Sequence, residues 1–363
     1  MHGARGLRRS SSSLMTNAVS PQLWFHRLAT HYVVAQMLYH LNQVGVLGAL
    51  ANASSPLGAG ALSSTLGLDP DVLTTVLEYL AGVDELLAVD EEGRFHLTDF
   101  GRQALRRFER PTGEGSAYNL FDVRVGAYGP IWQNLDALLQ GREDAPKREG
   151  GRAAEAAYKL AVHFEDELGR VLDETEAGAL LELGCSTGLL ERLGGPRPKV
   201  RLYGLDVSEA SLRQARAHAE ADGVRLVEWV RADVFSPDEW LTRLPTETPG
   251  VLFSIHLHEF LAGGEARWIE AMRRMSRALV GWRMVLFEQP RLTPIQRSEV
   301  PEDLWLYNHS NILIHHIAGK GKVLTKGQLE ALIEAGNGEL ESIRDIGYLG
   351  YQAFVVKFAE RKA

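Results

Sequence analysis

The stretch Ala179-Leu180-Leu181-Glu182-Leu183-Gly184-Cys185-Ser186-Thr187-Gly188-Leu189-Leu190 limits what the rest of the chain can be. An apolar run ends in an acid, two glycines follow four positions apart, and a helical pattern begins at once. That order predicts a strand, a tight loop and a helix N-terminus, a turn that brings bare backbone close to a ligand. Val200 to Asp206 predicts a second strand, its acid 22 positions after Gly184. A doubly wound fold places there the carboxylate that takes a ribose hydroxyl pair. A third strand, Val224 to Val230, leads into Arg231-Ala232-Asp233-Val234-Phe235, where an acid beside an aromatic suits an adenine amino group. The rival dinucleotide-binding fold expects Gly-x-Gly-x-x-Gly, which is absent.

This series resembles the class I S-adenosylmethionine-dependent methyltransferases. Their acidic-x-Gly-x-x-x-Gly loop matches Glu182 to Gly188, their ribose carboxylate Asp206, and their adenine-side acid Asp233. Ser186 stands where the family usually has a middle glycine. The resemblance implies an α/β, Rossmann-like domain with a mostly parallel seven-stranded sheet. It also implies S-adenosyl-L-methionine held by Glu182, Gly184, Cys185, Gly188, Asp206, Val207, Asp233 and Val234.

With 363 residues the chain has room for about two domains. A composition 45% hydrophobic and 24% charged describes a globular protein with ample core. No uninterrupted apolar run approaches the ~20 residues of a bilayer crossing, so no membrane association is expected. Residues 1–20 read as a disordered leader, because Met1 to Ser13 is basic and serine-rich without an apolar centre; Met15 is an alternative start. The single cysteine, Cys185, excludes an internal disulfide and fits a reducing, cytoplasmic setting. A net charge of -8 argues against a nucleic-acid partner, since phosphate binding needs a basic face. A small-molecule substrate is expected.

Residues 21–108 read as an all-helical and winged-helix unit. Gln22 to Asn52 is helical in period, Ala61 to Leu66 is a short helix, and Asp69-Pro70 caps a longer one through Leu80. Leu86 to Val89 then pairs with Arg94 to Leu97 across an acidic turn. Asp69 to Gly82 carries Asp69, Asp71 and Glu78 and no Lys or Arg, so dimerisation is a better reading than DNA binding. The arrangement resembles the dimerisation domain of small-molecule O-methyltransferases, which implies a homodimer. Residues 109–172 read as linker helices and an active-site lid with an exposed hinge at 142–151, and 173–363 as the donor-binding domain. Within the latter, Val251 to Leu257 and Arg283 to Glu288 are strands, Gly264 to Leu279 and Leu324 to Glu334 helices, and Leu340 to Ile346 and Gly350 to Phe358 an antiparallel pair.

Ligands of open sheets sit at the carboxyl ends of the strands, and His258-Glu259-Phe260 follows the fourth one. In the O-methyltransferase family a Leu-His-Asp-Trp-like tetrad there supplies the general base, and Leu257-His258-Glu259-Phe260 matches it. An imidazole suits that task at neutral pH. Three more histidines, His309, His315 and His316, lie in the later acceptor-side segment, a composition that points to a borderline metal. These positions resemble the 2-oxo acid C-methyltransferases, such as those acting on phenylpyruvate in antibiotic pathways, which bind iron through two histidines. The match implies His258 and His315 as ligands, with His309 or His256 as a third and another divalent metal as an option to iron. It also implies Arg148 as partner of the substrate carboxylate; Arg142 and Arg152 are further lid candidates. Glu288 matches an acid that supports the base. In such a site a 2-oxo acid would lose a C3 proton, to His256, Glu259 or a water ligand, and be methylated at C3. The alternative is methylation of a hydroxyl with His258 as base. A binding protein that keeps the fold is a third reading, opposed by the intact Glu182, Gly184, Asp206 and Asp233.

Overall fold

The computed structural model describes residues 20–106, 121–142, 147, 149, 161–186, 197, 199–221, 223–224, 227–255, 257–319 and 321–359. The leader expected over 1–20 thus falls, but for Ser20, outside the described residues. The chain divides into two compact units, Met1–Arg102 and Gln103–Ala363.

In the first unit, α1 (Pro21–Gln43) and α2 (Val46–Asn52) replace the single helical run expected from Gln22 to Asn52. The break falls at Gly45, which takes a left-handed φ of 83°, and the two helices meet at 73°. Ser20 starts α1 by accepting the Leu23 N–H at 3.2 Å. Among the described residues no single helix is long and apolar enough to cross a membrane. Next come α3 (Ala59–Leu66) and α4 (Pro70–Val83), the latter capped as expected by Asp69, whose Oδ1 accepts from the Asp71 and Val72 amides at 3.0 and 2.9 Å. Strands β1 (Leu87–Val89) and β2 (Phe95–Leu97) form the expected antiparallel hairpin. Its turn is closed by Asp90, which accepts the Arg94 amide at 2.8 Å. Leu47, Leu73, Leu77, Phe95 and Leu97 are buried at the centre of this unit. Helix α5 (Asp99–Arg106) follows.

The second unit opens, among its described residues, with a π-helical turn, Asp122–Ala127, and short helices α6 (Gly129–Gln133) and α7 (Leu135–Leu139). Helix α8 (Glu165–Thr175) precedes a sheet of β3 (Ala179–Leu183), β4 (Arg201–Asp206), β5 (Val227–Arg231), β6 (Gly250–Ser254), β7 (Arg283–Glu288), β8 (Glu339–Asp345) and β9 (Gln352–Lys357). The order is β5-β4-β3-β6-β7-β9-β8, parallel through β7 and antiparallel at β9 and β8. This is the Rossmann-like, mostly parallel seven-stranded sheet expected from the sequence. Helices α9 (Glu209–Ala221), α10 (Pro237–Trp240), α11 (Leu257–Phe260), α12 (Glu265–Ala278), α13 (Glu302–Gly319) and α14 (Lys326–Ala335) connect the strands.

Successive residues of β3 point to opposite faces. Leu181 and Leu183 pack with Trp268, Met272 and Leu332 of α12 and α14 on one side. Leu180 packs with Leu168, Val171 and Leu172 of α8 on the other. Both layers are needed because a buried parallel sheet is apolar on both faces.

Two boundaries differ from the sequence reading. The third strand starts at Val227 rather than Val224, because the Val224 amide closes the end of α9 on the Ala219 carbonyl at 2.8 Å. The fourth was expected to run from Val251 to Leu257, yet β6 stops at Ser254 and Leu257 opens α11. The apolar period continues through Ile255 and Leu257, and Leu257 is buried in the core from a helical turn instead.

Arg344 on the edge strand β8 binds Glu174 (2.8 Å) and Glu167 (2.9 Å) of α8. Its hydrogen bonds hold the Glu174 carboxyl below its ordinary 4.5. A carboxyl lowered by folding adds stability above its unfolded value, and that stability is lost as pH falls through the lower folded value. Thermal unfolding followed across pH 4.5 and below should therefore show a steeper acid loss of Tm for the native chain than for Arg344→Met. Parallel profiles would refute the role of this pair.

Candidate functional site

The carboxyl ends of β3, β4, β6 and β7 converge, and each carries a residue singled out above. On β3, Glu182 is buried, and after it Gly184 turns the chain with φ 69°. Ser186 also lies in the left-handed region, at φ 49°, where a side chain costs about 1–2 kcal/mol. Asp206 at the end of β4 offsets that cost, since its Oδ2 accepts the Ser186 amide at 2.9 Å. Its Oδ1 accepts the Ser208 amide at 2.8 Å. A carboxylate has about four acceptor positions, and the amides of Ser186 and Ser208 use two of them among the described residues. The serine in place of a glycine is thus stabilised by the same acid that the sequence nominates for ribose. Gly188 and the helix expected after it lie outside the described residues.

Cys185 is buried, donates its amide to the Leu205 carbonyl at 2.9 Å and packs its sulfur toward Gly204. Val207 is exposed beside Asp206. Val234 differs from its expected role: its side chain belongs to the core, which leaves only its backbone to face a ligand. Asp233 accepts the Phe235 amide at 2.9 Å and pairs with Arg267 at 2.8 Å. The Arg267 guanidinium lies 4.0 Å over the Phe235 ring, so a cation already covers the acid and aromatic nominated for adenine.

His258 sits in the first turn of α11, buried against Glu288 at the end of β7. Glu288 Oε1 accepts the His258 amide at 3.1 Å, and its two oxygens lie 3.1 and 3.2 Å from the ring Nδ1. This interaction ends β6 early: the His258 amide turns to a carboxylate instead of a ladder partner. With Nδ1 against Glu288, Nε2 is the nitrogen left to face other groups. His315 of α13 brings its ring to a centroid distance of 3.8 Å from that of His258, tilted by 51°. Nitrogen and carboxylate atoms of His258, Glu259 and His315 all lie within 4.8 Å of one another.

His309, proposed above as a third ligand, lies outside this cluster. Its ring lies 3.8 Å from that of Trp305, tilted by 32°, and its Nδ1 faces the Trp305 carbonyl at 3.1 Å. The third group is Glu259. His316, one residue after His315, is exposed, because neighbours on a helix point about 100° apart. His256, Arg148 and Arg152 lie outside the described residues.

A cation that the sequence reading passed over lies near this cluster. Arg124, in the π-helical turn, sits 5.3 Å over the Tyr307 ring of α13, and its Nη1 has no hydrogen-bond partner among the described residues. Burial lowers its pKa, and Tyr307, Tyr351 and Tyr128 counter that. Tyr307 accepts hydrogen bonds from Tyr351 and Arg124, and burial raises both phenols. The charge of Glu288 raises Tyr351 further. The two phenols therefore stay neutral beside Arg124. Its sequence signal is the one basic residue in Phe121-Asp122-Val123-Arg124-Val125-Gly126-Ala127-Tyr128, since a charge in a mostly aromatic and apolar run needs a reason.

Comparison with known proteins agrees with this layout. Residues 180–280 match the methyltransferase domain family. The carboxy-S-adenosyl-L-methionine synthase of Wolinella succinogenes is 40% identical over 82 residues, 21% of this chain and 33% of that protein. The match thus spans about a third of that relative's length. The structure of the mitomycin 7-O-methyltransferase MmcR superposes with a TM-score of 0.70 at 15% identity, covering 93% of this chain and 97% of that one. Human N-acetylserotonin methyltransferase, solved with S-adenosylmethionine, gives a TM-score of 0.70 at 17% identity, covering 95% and 99%. At such identities the likeness is one of fold.

Deleting the His258 ring leaves Glu288 buried without one of its two partners, which costs about 1–3 kcal/mol. His258→Ala should lose that much in urea unfolding, while His315→Ala, whose ring is only partly buried, loses less. Equal losses would show that Glu288 does not depend on the ring.

Proposed function

We propose that this chain binds S-adenosylmethionine across the ends of β3, β4 and β5 and transfers its methyl group to a hydroxyl oxygen of a small molecule, with His258 as the base. The observation that carries the reading is the His258–Glu288 pair. A carboxylate on Nδ1 fixes the tautomer and leaves Nε2 with its lone pair. The acceptor's proton goes to Nε2, and Glu288 stabilises the resulting imidazolium in a buried place. Both superposed methyltransferases support the general reading.

On the donor side, Asp206 offers two acceptor positions to the ribose diol, and Asp233 offers one to the adenine amino group. On the acceptor side, Arg124 and the Tyr307–Tyr351 pair provide a cation and two neutral phenols for an acidic or phenolic substrate. Arg124 takes the role that the sequence reading gave to Arg148. Homodimerisation belongs to the same proposal. Helix α1 leaves Trp24 51% and Phe25 65% exposed, with Leu28 and Tyr32 also exposed, a row of the kind that marks protein contacts.

A specific observation favours a second reading, the metal-assisted methylation of C3 in a 2-oxo acid. Two imidazoles and a carboxylate, His258, His315 and Glu259, cluster within 4.8 Å. That donor set fits the two-histidine, one-carboxylate pattern of non-haem iron, and Glu288 would be the carboxylate that orients a ligating histidine. Bound there, iron would act as a Lewis acid on the ketone oxygen. Nε2 of His258 cannot hold both a proton and a metal, so the two readings exclude each other.

Metal analysis of chelator-free protein separates them. Metal-free protein that labels a phenol from methyl-labelled donor upholds the first reading. About one iron per chain, lost in His258→Ala and His315→Ala together with labelling of a 2-oxo acid, replaces it with the second. Donor binding is tested by itself with S-adenosylhomocysteine calorimetry. Asp206→Ala removes the ribose acceptors and the Ser186 anchor, and should weaken binding by at least about tenfold, ~1.4 kcal/mol. Unchanged affinity would overturn the assignment of the donor site.

A further inference from the structure

The segment between α13 and α14 touches both histidines of the site through its backbone. The Gly321 amide donates to the His315 carbonyl at 2.8 Å, and the Lys322 amide donates to the His258 carbonyl at 2.9 Å. Two consecutive amides thus hold two distant turns of chain. Gly321 leaves almost no space: a Cβ on it would lie 2.6 Å from the His258 carbonyl oxygen and 3.4 Å from that of His315. Its φ is outside the left-handed region, so glycine is required here by contact rather than by backbone angle. Backbone carbonyls cannot swing aside as a side-chain tip can.

The segment is tied down beyond these two bonds. Lys322 forms an ion pair with Glu265 at the start of α12. Leu324 is buried, and its carbonyl accepts the Arg291 amide at 2.8 Å. Thr325 then opens α14 with a reciprocal Thr325–Gln328 cap. A strap fixed at its far end transmits any displacement at Gly321 to whichever partner is freer to move. The partners it meets are the one-turn helix α11 and α13 near its end, and these carry His258 and His315.

We propose that Gly321 is a positioning residue for the histidine pair: its missing side chain lets the strap staple the His258 and His315 backbones and so sets the spacing of the two imidazoles. This rests on the reading that the two rings work together. It holds for either chemistry above, since a base beside a second imidazole and a two-histidine metal site both depend on their separation.

The test reads the rings directly, without a substrate. In protein carrying isotope-labelled histidine, His315→Leu removes a neighbouring ring current and should shift the His258 Hε1 resonance. In the Gly321→Ala background the same removal should shift it by about half as much or less, as the coupling term of a double-mutant cycle. S-adenosylhomocysteine affinity and Tm report separately whether the fold and the donor site persist. An undiminished shift in folded Gly321→Ala overturns the proposal even if the assigned reaction is correct. Should Gly321→Ala not fold, two measurements decide. In the native chain the Gly321 and Lys322 amides should exchange about 100-fold or more slowly than free peptide. In Lys322→Ala, which removes the Glu265 anchor, both that protection and the mutual ring shift should fall. Unprotected amides, or a Lys322→Ala chain with both readings unchanged, refute the staple. A separate failure, in which the native chain methylates an acceptor and His315→Leu has no effect on rate, would remove the paired-histidine reading and leave the staple as measured.

Discussion

Glu288 is only 4% exposed, and a carboxylate in such a place is costly unless its lone pairs are used. Among the described residues it uses them on His258, through both its amide and its ring. That double contact bends the backbone after β6 out of the sheet and into α11, which starts the site where a strand would otherwise have continued. It also orients the imidazole, so that one nitrogen is assigned before any ligand arrives. The nearby His315, Glu259 and Tyr351 matter because that orientation is already set.

One oriented nitrogen can serve two chemistries, which explains why the fold alone does not choose between them. A carboxylate behind an imidazole strengthens it as a proton acceptor and, equally, as a metal ligand. The choice lies in what stands in front of Nε2. In this chain a second imidazole and a carboxylate stand close by, which a simple hydroxyl base does not require. The mitomycin 7-O-methyltransferase that superposes on this chain methylates oxygen by its name, and its likeness here is one of fold. Carboxy-S-adenosyl-L-methionine synthase, similar over part of the domain, shows by its name that the same donor-type scaffold hosts other reactions.

The glycine loop and the strand ends beside it were legible in the sequence because their signals are local. Glu182, Gly184 and Asp206 lie at strand ends, where an apolar run, a glycine and an acid at fixed spacing leave few other folds. The pairing of Leu257-His258-Glu259-Phe260 with the later histidine segment was legible through resemblance, and the rings do meet. What the sequence did not reveal depends on contacts between distant residues. The early end of β6 follows from Glu288, thirty positions away, and the apolar period at Ile255 and Leu257 gives no hint of it. That Glu259 rather than His309 joins His258 and His315 depends on how α11 and α13 meet. Gly321 looks like any glycine after a helix, and only the two carbonyls against it give it meaning. The insertion of β9 between β7 and β8 follows from antiparallel pairing, which a list of strands does not order.

Ser186 and Arg124 illustrate how such a site tolerates local cost. Ser186 occupies a backbone region that glycine enters freely, and one hydrogen bond from its amide to Asp206 offsets the penalty. That bond also aims the Asp206 carboxylate and, through the backbone N–H, couples the loop after β3 to the end of β4. Arg124 is a desolvated cation, and the groups that counter the cost of its burial are the phenols of Tyr307, Tyr351 and Tyr128. Phenols screen less well than water, so the cation retains an unmet demand for negative charge at a polar nitrogen without a partner. An acceptor that is itself anionic, or that becomes so as it loses its proton, meets that demand in a way that a neutral molecule does not.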